Sequence, residues 1–156
     1  MLSLIEYLHA VAIAVLVGKV VLLSFVVAPI LAKSLERDPF GTVVRRLFPA
    51  YYALGMGTAM FGLVLLSGLA MFKGMSPSLQ SAGGIWLIIL AAEAYCRSPM
   101  TPRSNAMRDL LKKQEQSGAV DPNLQAAWKR LHQRSIYLNS LVLVAGLVLL
   151  GLSHHW

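Results

Sequence analysis

The residues best placed to do chemistry in this chain are the polar ones that interrupt its apolar runs: His9, Lys19, Glu93 and Asn139. A charged side chain at the centre of a lipid-spanning helix costs roughly 2.5–3.5 kcal/mol on insertion scales. Such a residue therefore marks a helix contact, an ion path or a binding site. Lys19 falls near the middle of the first run, and Glu93 lies a turn or two towards the cytoplasmic end of the third. Aligning the runs by their midpoints leaves a depth gap of about 6 Å at 1.5 Å per residue. A lysine side chain covers that distance, so a Lys19–Glu93 pair is expected. Tyr51, Tyr52 and Asn139 fall at a similar or slightly deeper level and would complete a polar cluster. Its chemistry would be either fixing helix register or relaying a proton or cation.

Two further groups could carry chemistry. His9, Met71, Met75, His154 and His155 gather towards the opposite end of the spans. Met56, Met60, Met71 and Met75 would share an arc of about 100° if that helix runs unbroken. Thioether and imidazole ligands suit Cu(I), and imidazole also suits Zn. The ordinary alternatives are methionine packing, exposed terminal histidines, and a His9 hydrogen bond to Glu6 one turn back. On the cytoplasmic side, His132, Ser135 and Asn139 follow one another on a helix face. Arg103, Asn105, Asp109, His132 and Ser135 are expected to form a network that docks a loop helix onto the base of the fourth span. A lipid-headgroup or ligand contact is the alternative. A single cysteine, Cys96, allows no internal disulfide and no Cys-pair metal site. No catalytic constellation is visible, so no enzyme activity is expected.

The elements that must position these residues are long apolar helices. The chain has 156 residues, of which 56% are hydrophobic and 13% charged, with a formal net charge of +7. Four spans are expected at about 4–31, 49–72, 80–96 and 134–153, with connecting loops at 32–48 and 97–133. Twelve of the fourteen Lys and Arg lie in the first and third connections, counting Arg134 at the border of the third with span 4. Basic loops stay in the cytoplasm, so both termini are expected outside, in the periplasm of a bacterial inner membrane. The same rule accounts for the positive charge, and no nucleic-acid partner is expected. The fold class is thus an all-α integral membrane four-helix bundle, one domain over 1–156, N-out and C-out, with a helical cytoplasmic loop between spans 3 and 4.

Local signals refine this. Ala10, Ala14 and Gly18 recur every four residues and make a smooth stripe for close helix contact. Pro49 reads as a first-turn proline of span 2. Arg97, Ser98 and Pro99 close span 3, and Thr101-Pro102 reads as the start of a separate helix lying on the membrane surface. Glu6 and the lack of a basic leader region make the first run a span rather than a cleaved signal peptide.

The chain resembles the bacterial branch of the Transmembrane Protein 205-like family, small four-span proteins of largely unknown function. The matching elements are His9, Gly18 and Phe25-Val26-x-x-Pro29 in span 1, and Leu47-Phe48-Pro49-x-Tyr51-Tyr52 opening span 2. Pro102-x-x-Asn105-x-x-x-Asp109 follows in the third connection, and Leu131-His132-x-x-Ser135-x-x-x-Asn139 leads into span 4. The resemblance implies a four-helix membrane bundle with no established catalytic activity. Lys19 departs from the small or apolar residue the pattern leads one to expect. A fainter likeness in architecture to copper-resistance D-like domains and haem-associated four-span oxidases is fold analogy alone. The leading expectation is an accessory or assembly subunit of a larger membrane complex, with lipid and other membrane subunits or itself as partners and no cofactor. The alternatives are a copper-like metal-handling or transport protein, and a haem-binding redox protein with His9 as axial ligand.

Overall fold

A computed structural model describes residues 1–155, leaving aside the side chains of Arg37 and His155. Its helices are α1 Leu2–Val21, α2 Ala28–Ser34, α3 Arg37–Lys73, α4 Pro77–Tyr95, α5 Thr101–Ser117 and α6 Pro122–Leu152. No strand occurs among the described residues. Four continuous helical rods are long and apolar enough to cross a membrane. The protein is a multi-pass membrane protein in contact with the bilayer. Lipid offers no hydrogen bonds to an exposed backbone, which is why helices are the solution.

The contacts between rods set their directions. His9 and Lys19 of α1 meet Trp86 and Glu93 of α4, so α1 and α4 run parallel. Ile5 lies beside Gly68, and Lys19 reaches the Tyr51 carbonyl, so α3 runs the other way. Gly146 packs on Val17, and Asn139 meets Tyr51, so α6 also runs against α1. Each helix touches two neighbours in the ring α1–α3–α4–α6. The core includes Ile13, Leu16, Leu69, Trp86, Ile89 and Leu149. The N-terminus and the end of α6 share one end of the bundle. The other, basic end carries α2, α5 and the first turns of α3 and α6.

Three expected boundaries are corrected. The expected loop 32–48 is almost entirely helical, since α3 begins at Arg37 and only Leu35 and Glu36 break the path. Phe40, Val44 and Leu47 recur at helical spacing and turn one half-buried face inward. Pro49 therefore lies inside a 37-residue helix rather than in its first turn. At 1.5 Å per residue that helix is about 55 Å long, well beyond the roughly 30 Å hydrocarbon core, so its basic start stands outside the bilayer.

The second correction concerns Arg97 to Pro102. The chain does not stop and restart there. Cys96–Met100 forms a π-helical turn that joins α4 to α5 without a break. The Thr101 N–H reaches the Cys96 carbonyl, and the Thr101 hydroxyl donates to the same oxygen at 2.7 Å. Widening the helix accommodates Pro99 and Pro102, which have no N–H to give. Third, α5 is consequently no separate surface helix but an extension of α4 that packs against α6 and α3. It ends at Gly118, whose φ of 77° is a left-handed helix stop. Asp121 then caps α6, accepting the Asn123 N–H at 2.8 Å, with Pro122 in the first turn.

Candidate functional site: a polar seam through the bundle

The seam begins at Lys19 and Glu93. Their side chains are 5% and 1% exposed, and Nζ lies 2.5 Å from Oε1. The ammonium also sits 4.0 Å from the centre of the Tyr51 ring, a cation–π contact, and 3.4 Å from the Tyr51 carbonyl oxygen. The second carboxylate oxygen, Glu93 Oε2, is buried without a hydrogen bond. The pair fits because residue 55 is glycine: a Cβ there would overlap both the Glu93 carboxyl and the Lys19 ammonium. Three helices thus meet at one charged contact, with α3 supplying a bare backbone for it.

Two hydrogen bonds carry the seam from there to the basic end. The Tyr51 hydroxyl donates to Asn139 Oδ1 at 3.2 Å, and the Tyr52 hydroxyl and Ser135 Oγ share a hydrogen at 3.2 Å. Lys19, Glu93, Tyr51 and Asn139 are therefore brought together, tying all four rods. Ser135 belongs to this seam through Tyr52 as well as to the basic end. Tyr51, Tyr52 and Phe48 form an aromatic group beside it, with Phe48 stacked on Tyr52 at 5.7 Å.

Towards the other end, His9 is fully enclosed. Its Nε2 accepts the indole N–H of Trp86 at 3.0 Å, with the rings perpendicular and 5.7 Å apart. An accepting Nε2 places the ring proton on Nδ1. Trp86 lies flat against Gly62, where a Cβ would strike the indole. Glu6, the partner considered for His9, instead pairs with Lys73 at 2.5 Å. Met71 and Met75 are largely exposed. His154 is exposed, and the His155 side chain lies outside the described residues. Of the described members of the expected imidazole–thioether group, His9 is thus enclosed while Met71, Met75 and His154 are exposed. Among the described residues no three His, Cys, Asp or Glu are placed to hold a metal ion.

The five residues singled out at the basic end separate into different places. Asn105, His132 and Ser135 line one cavity of about 270 Å³ between α2, α3, α5 and α6, with Tyr52 at its inner end. Trp128 stacks on His132 with ring centres 5.8 Å apart. Asp109 instead pairs with Arg45 of α3, and Lys112 with Asp38 at 2.7 Å. Arg103 is exposed and does not line that cavity.

Spacing along the chain missed Trp86, Arg45 and Trp128, and it read Gly55 only as one of the glycines that favour tight packing in span 2. Trp86 and Trp128 look like ordinary apolar residues in sequence, and their roles depend on a second helix. Gly55 carried the one usable signal, as a small residue four positions after Tyr51 on the face that meets Lys19.

Residues 11–113 match the family described as a domain of unknown function, DUF4149. An uncharacterised protein of Aquifex aeolicus (strain VF5) is 35% identical over 78 residues, covering 49% of this chain and 53% of that protein. The match thus spans about half the length of that relative. No solved structure matches. An uncharacterised bacterial family is what the resemblance in sequence implied, but the matching model does not carry the Transmembrane Protein 205-like name.

Proposed function

Since the chain belongs to the DUF4149 family, which has no assigned activity to pass on, we propose that it is a non-catalytic accessory or assembly subunit that packs against other membrane helices. One observation carries this reading. Ala10, Ala14 and Gly18, the smooth stripe of α1, all face outward. A Cβ at Gly18 would meet no atom within 4 Å. The bundle places other glycines, Gly55, Gly62 and Gly146, against its own side chains. A small-residue stripe on the outer surface of a span suits close approach by a further helix, where dispersion and backbone contacts drive association in lipid. The polar groups inside the spans support the same reading, because they engage one another. We further propose that the basic end faces the cytoplasm of an inner membrane with both termini outside, from the weight of Lys and Arg at that end.

Metal handling and haem ligation gain no comparable support. His9 Nε2 is engaged by Trp86, and Met71 and Met75 are exposed while His9 is enclosed.

The test is migration and composition after purification in mild detergent. The wild-type chain should run with stoichiometric membrane partners or as a self-associated species. Ala14→Leu with Gly18→Leu should release it as a monomer with an unchanged melting temperature. A wild-type chain that runs alone as a monomer, or a double variant that keeps its partners, would contradict the proposal.

A further inference from the structure

The cavity under the polar seam has a shape and charge that the accessory reading does not use. Its walls are mainly apolar: Leu23, Leu31, Val44, Leu47 and Leu131 surround it, with Asn105 and His132 among them and Tyr52 and Ser135 at the inner end. Arg108 stands at its outer end and is shared with a second, polar recess of about 360 Å³ between α3 and α5. That recess is lined by Arg45, Arg46, Arg108 and Lys112 against only Asp38 and Asp109. Four cations against two carboxylates leave its lining with a net positive charge. The guanidinium of Arg108 rests directly on Gly41, and a Cβ there would overlap it. The α3 backbone thus seats Arg108 where the apolar slot and the cationic recess join. Tyr52 and Gly41 are eleven residues apart on one helix, so the slot and its mouth span about 16 Å at 1.5 Å per residue.

A slot walled by leucine and valine next to a cationic recess complements an amphiphile with an apolar tail and a compact anionic head. We propose that this paired cavity binds an anionic phospholipid, with one acyl chain between α2, α3 and α6 and its phosphate in the Arg45–Arg46–Arg108–Lys112 recess. The location favours a bilayer lipid over a soluble ligand. The residues that line the slot fall where the basic connections meet the apolar runs of the sequence, the level at which lipid phosphates are expected. Arginine forks suit phosphate oxygens geometrically, and basic pockets between spans attract anionic headgroups. A headgroup without net charge would not complement the excess of cations.

The test uses the full chain in neutral detergent. Phosphatidylglycerol carrying a fluorophore on its tail is titrated against phosphatidylcholine with the same tail, and inorganic phosphate and laurate are added as competitors. Phosphatidylglycerol should bind at least about fivefold more tightly than phosphatidylcholine, the pull of about one basic residue near an anionic surface. Arg108→Gln should remove most of that preference. Gly41→Leu, which displaces the same guanidinium, should act alike. A tail-diazirine phosphatidylglycerol, crosslinked to the wild-type chain and mapped by mass spectrometry, makes the result independent of any variant's folding. Labels should fall on Leu47, Leu131 and Met100. Equal binding of the two lipids, displacement by phosphate or laurate as effective as by phosphatidylglycerol, or labels confined to outward residues such as Phe25 and Phe61 would each overturn the proposal.

Discussion

Of the places where opposite charges meet among the described residues, two differ sharply. Lys19 and Glu93 are enclosed among four helices, 5% and 1% exposed. Arg45 and Asp109, at the basic end, are 46% and 53% exposed, and Lys112 and Asp38 are 51% and 68% exposed. The chemistry is the same, but its consequence is not. Water screens and competes for the outer pairs, so each contributes little. Within the bundle no water replaces a lost partner, so removing one charge strands the other. The lesson is that location, more than the type of pair, decides which ion pair holds the helices.

Substitutions can sharpen or break that contrast. The largest effect is expected at the inner pair. Glu93→Gln or Lys19→Met alone should destabilise the bundle by about 3–5 kcal/mol, the usual result of stranding a buried charge. Denaturant unfolding in a mixed-detergent system, followed by circular dichroism, reads this. Next comes Gly55→Val, which places a side chain where the carboxyl and ammonium lie. It should cost about 1–3 kcal/mol as overpacking and more if it separates the pair, measured in the same way. Trp86→Phe removes the indole N–H given to His9 but keeps most of the apolar bulk. A loss of about 1–3 kcal/mol is expected from the buried acceptor left behind. The smallest effect belongs to the outer pairs. Asp109→Asn should change stability by less than about 1 kcal/mol, and this small change should shrink further in high salt. If Asp109→Asn proved as damaging as Glu93→Gln, the contrast between the two regions would fail.

How much of this could be read without coordinates depended on the solvent of each segment. The four spans were legible because lipid demands long apolar runs, such as residues 10–31 and 141–150. Lys19 and Glu93 stood out because each is costly in such a run, and only an opposite charge at a similar depth offsets that cost. The amphipathic start of α3 was harder. Arg45 and Arg46 beside Phe40 and Val44 look like a basic loop until a second helix covers the apolar face. Pro99 and Pro102 read as stop and start because proline breaks an ordinary α-turn; a π-helical turn removes the conflict, and no residue in Cys96–Met100 announces it. The His9–Trp86 contact was not legible, since it joins residues 77 positions apart. The outward direction of Ala10, Ala14 and Gly18 was equally hidden, because periodicity defines a stripe but not which side of the helix the bundle occupies.

The most direct test of the inner pair is a double-mutant cycle with Lys19→Met, Glu93→Leu and both together, read as unfolding free energy. The account predicts that the double variant is more stable than either single one, so that the coupling energy exceeds the cost of either single change and is at least about 3 kcal/mol. Additivity of the two single effects within about 0.5 kcal/mol would show that Lys19 and Glu93 act separately, and would contradict it.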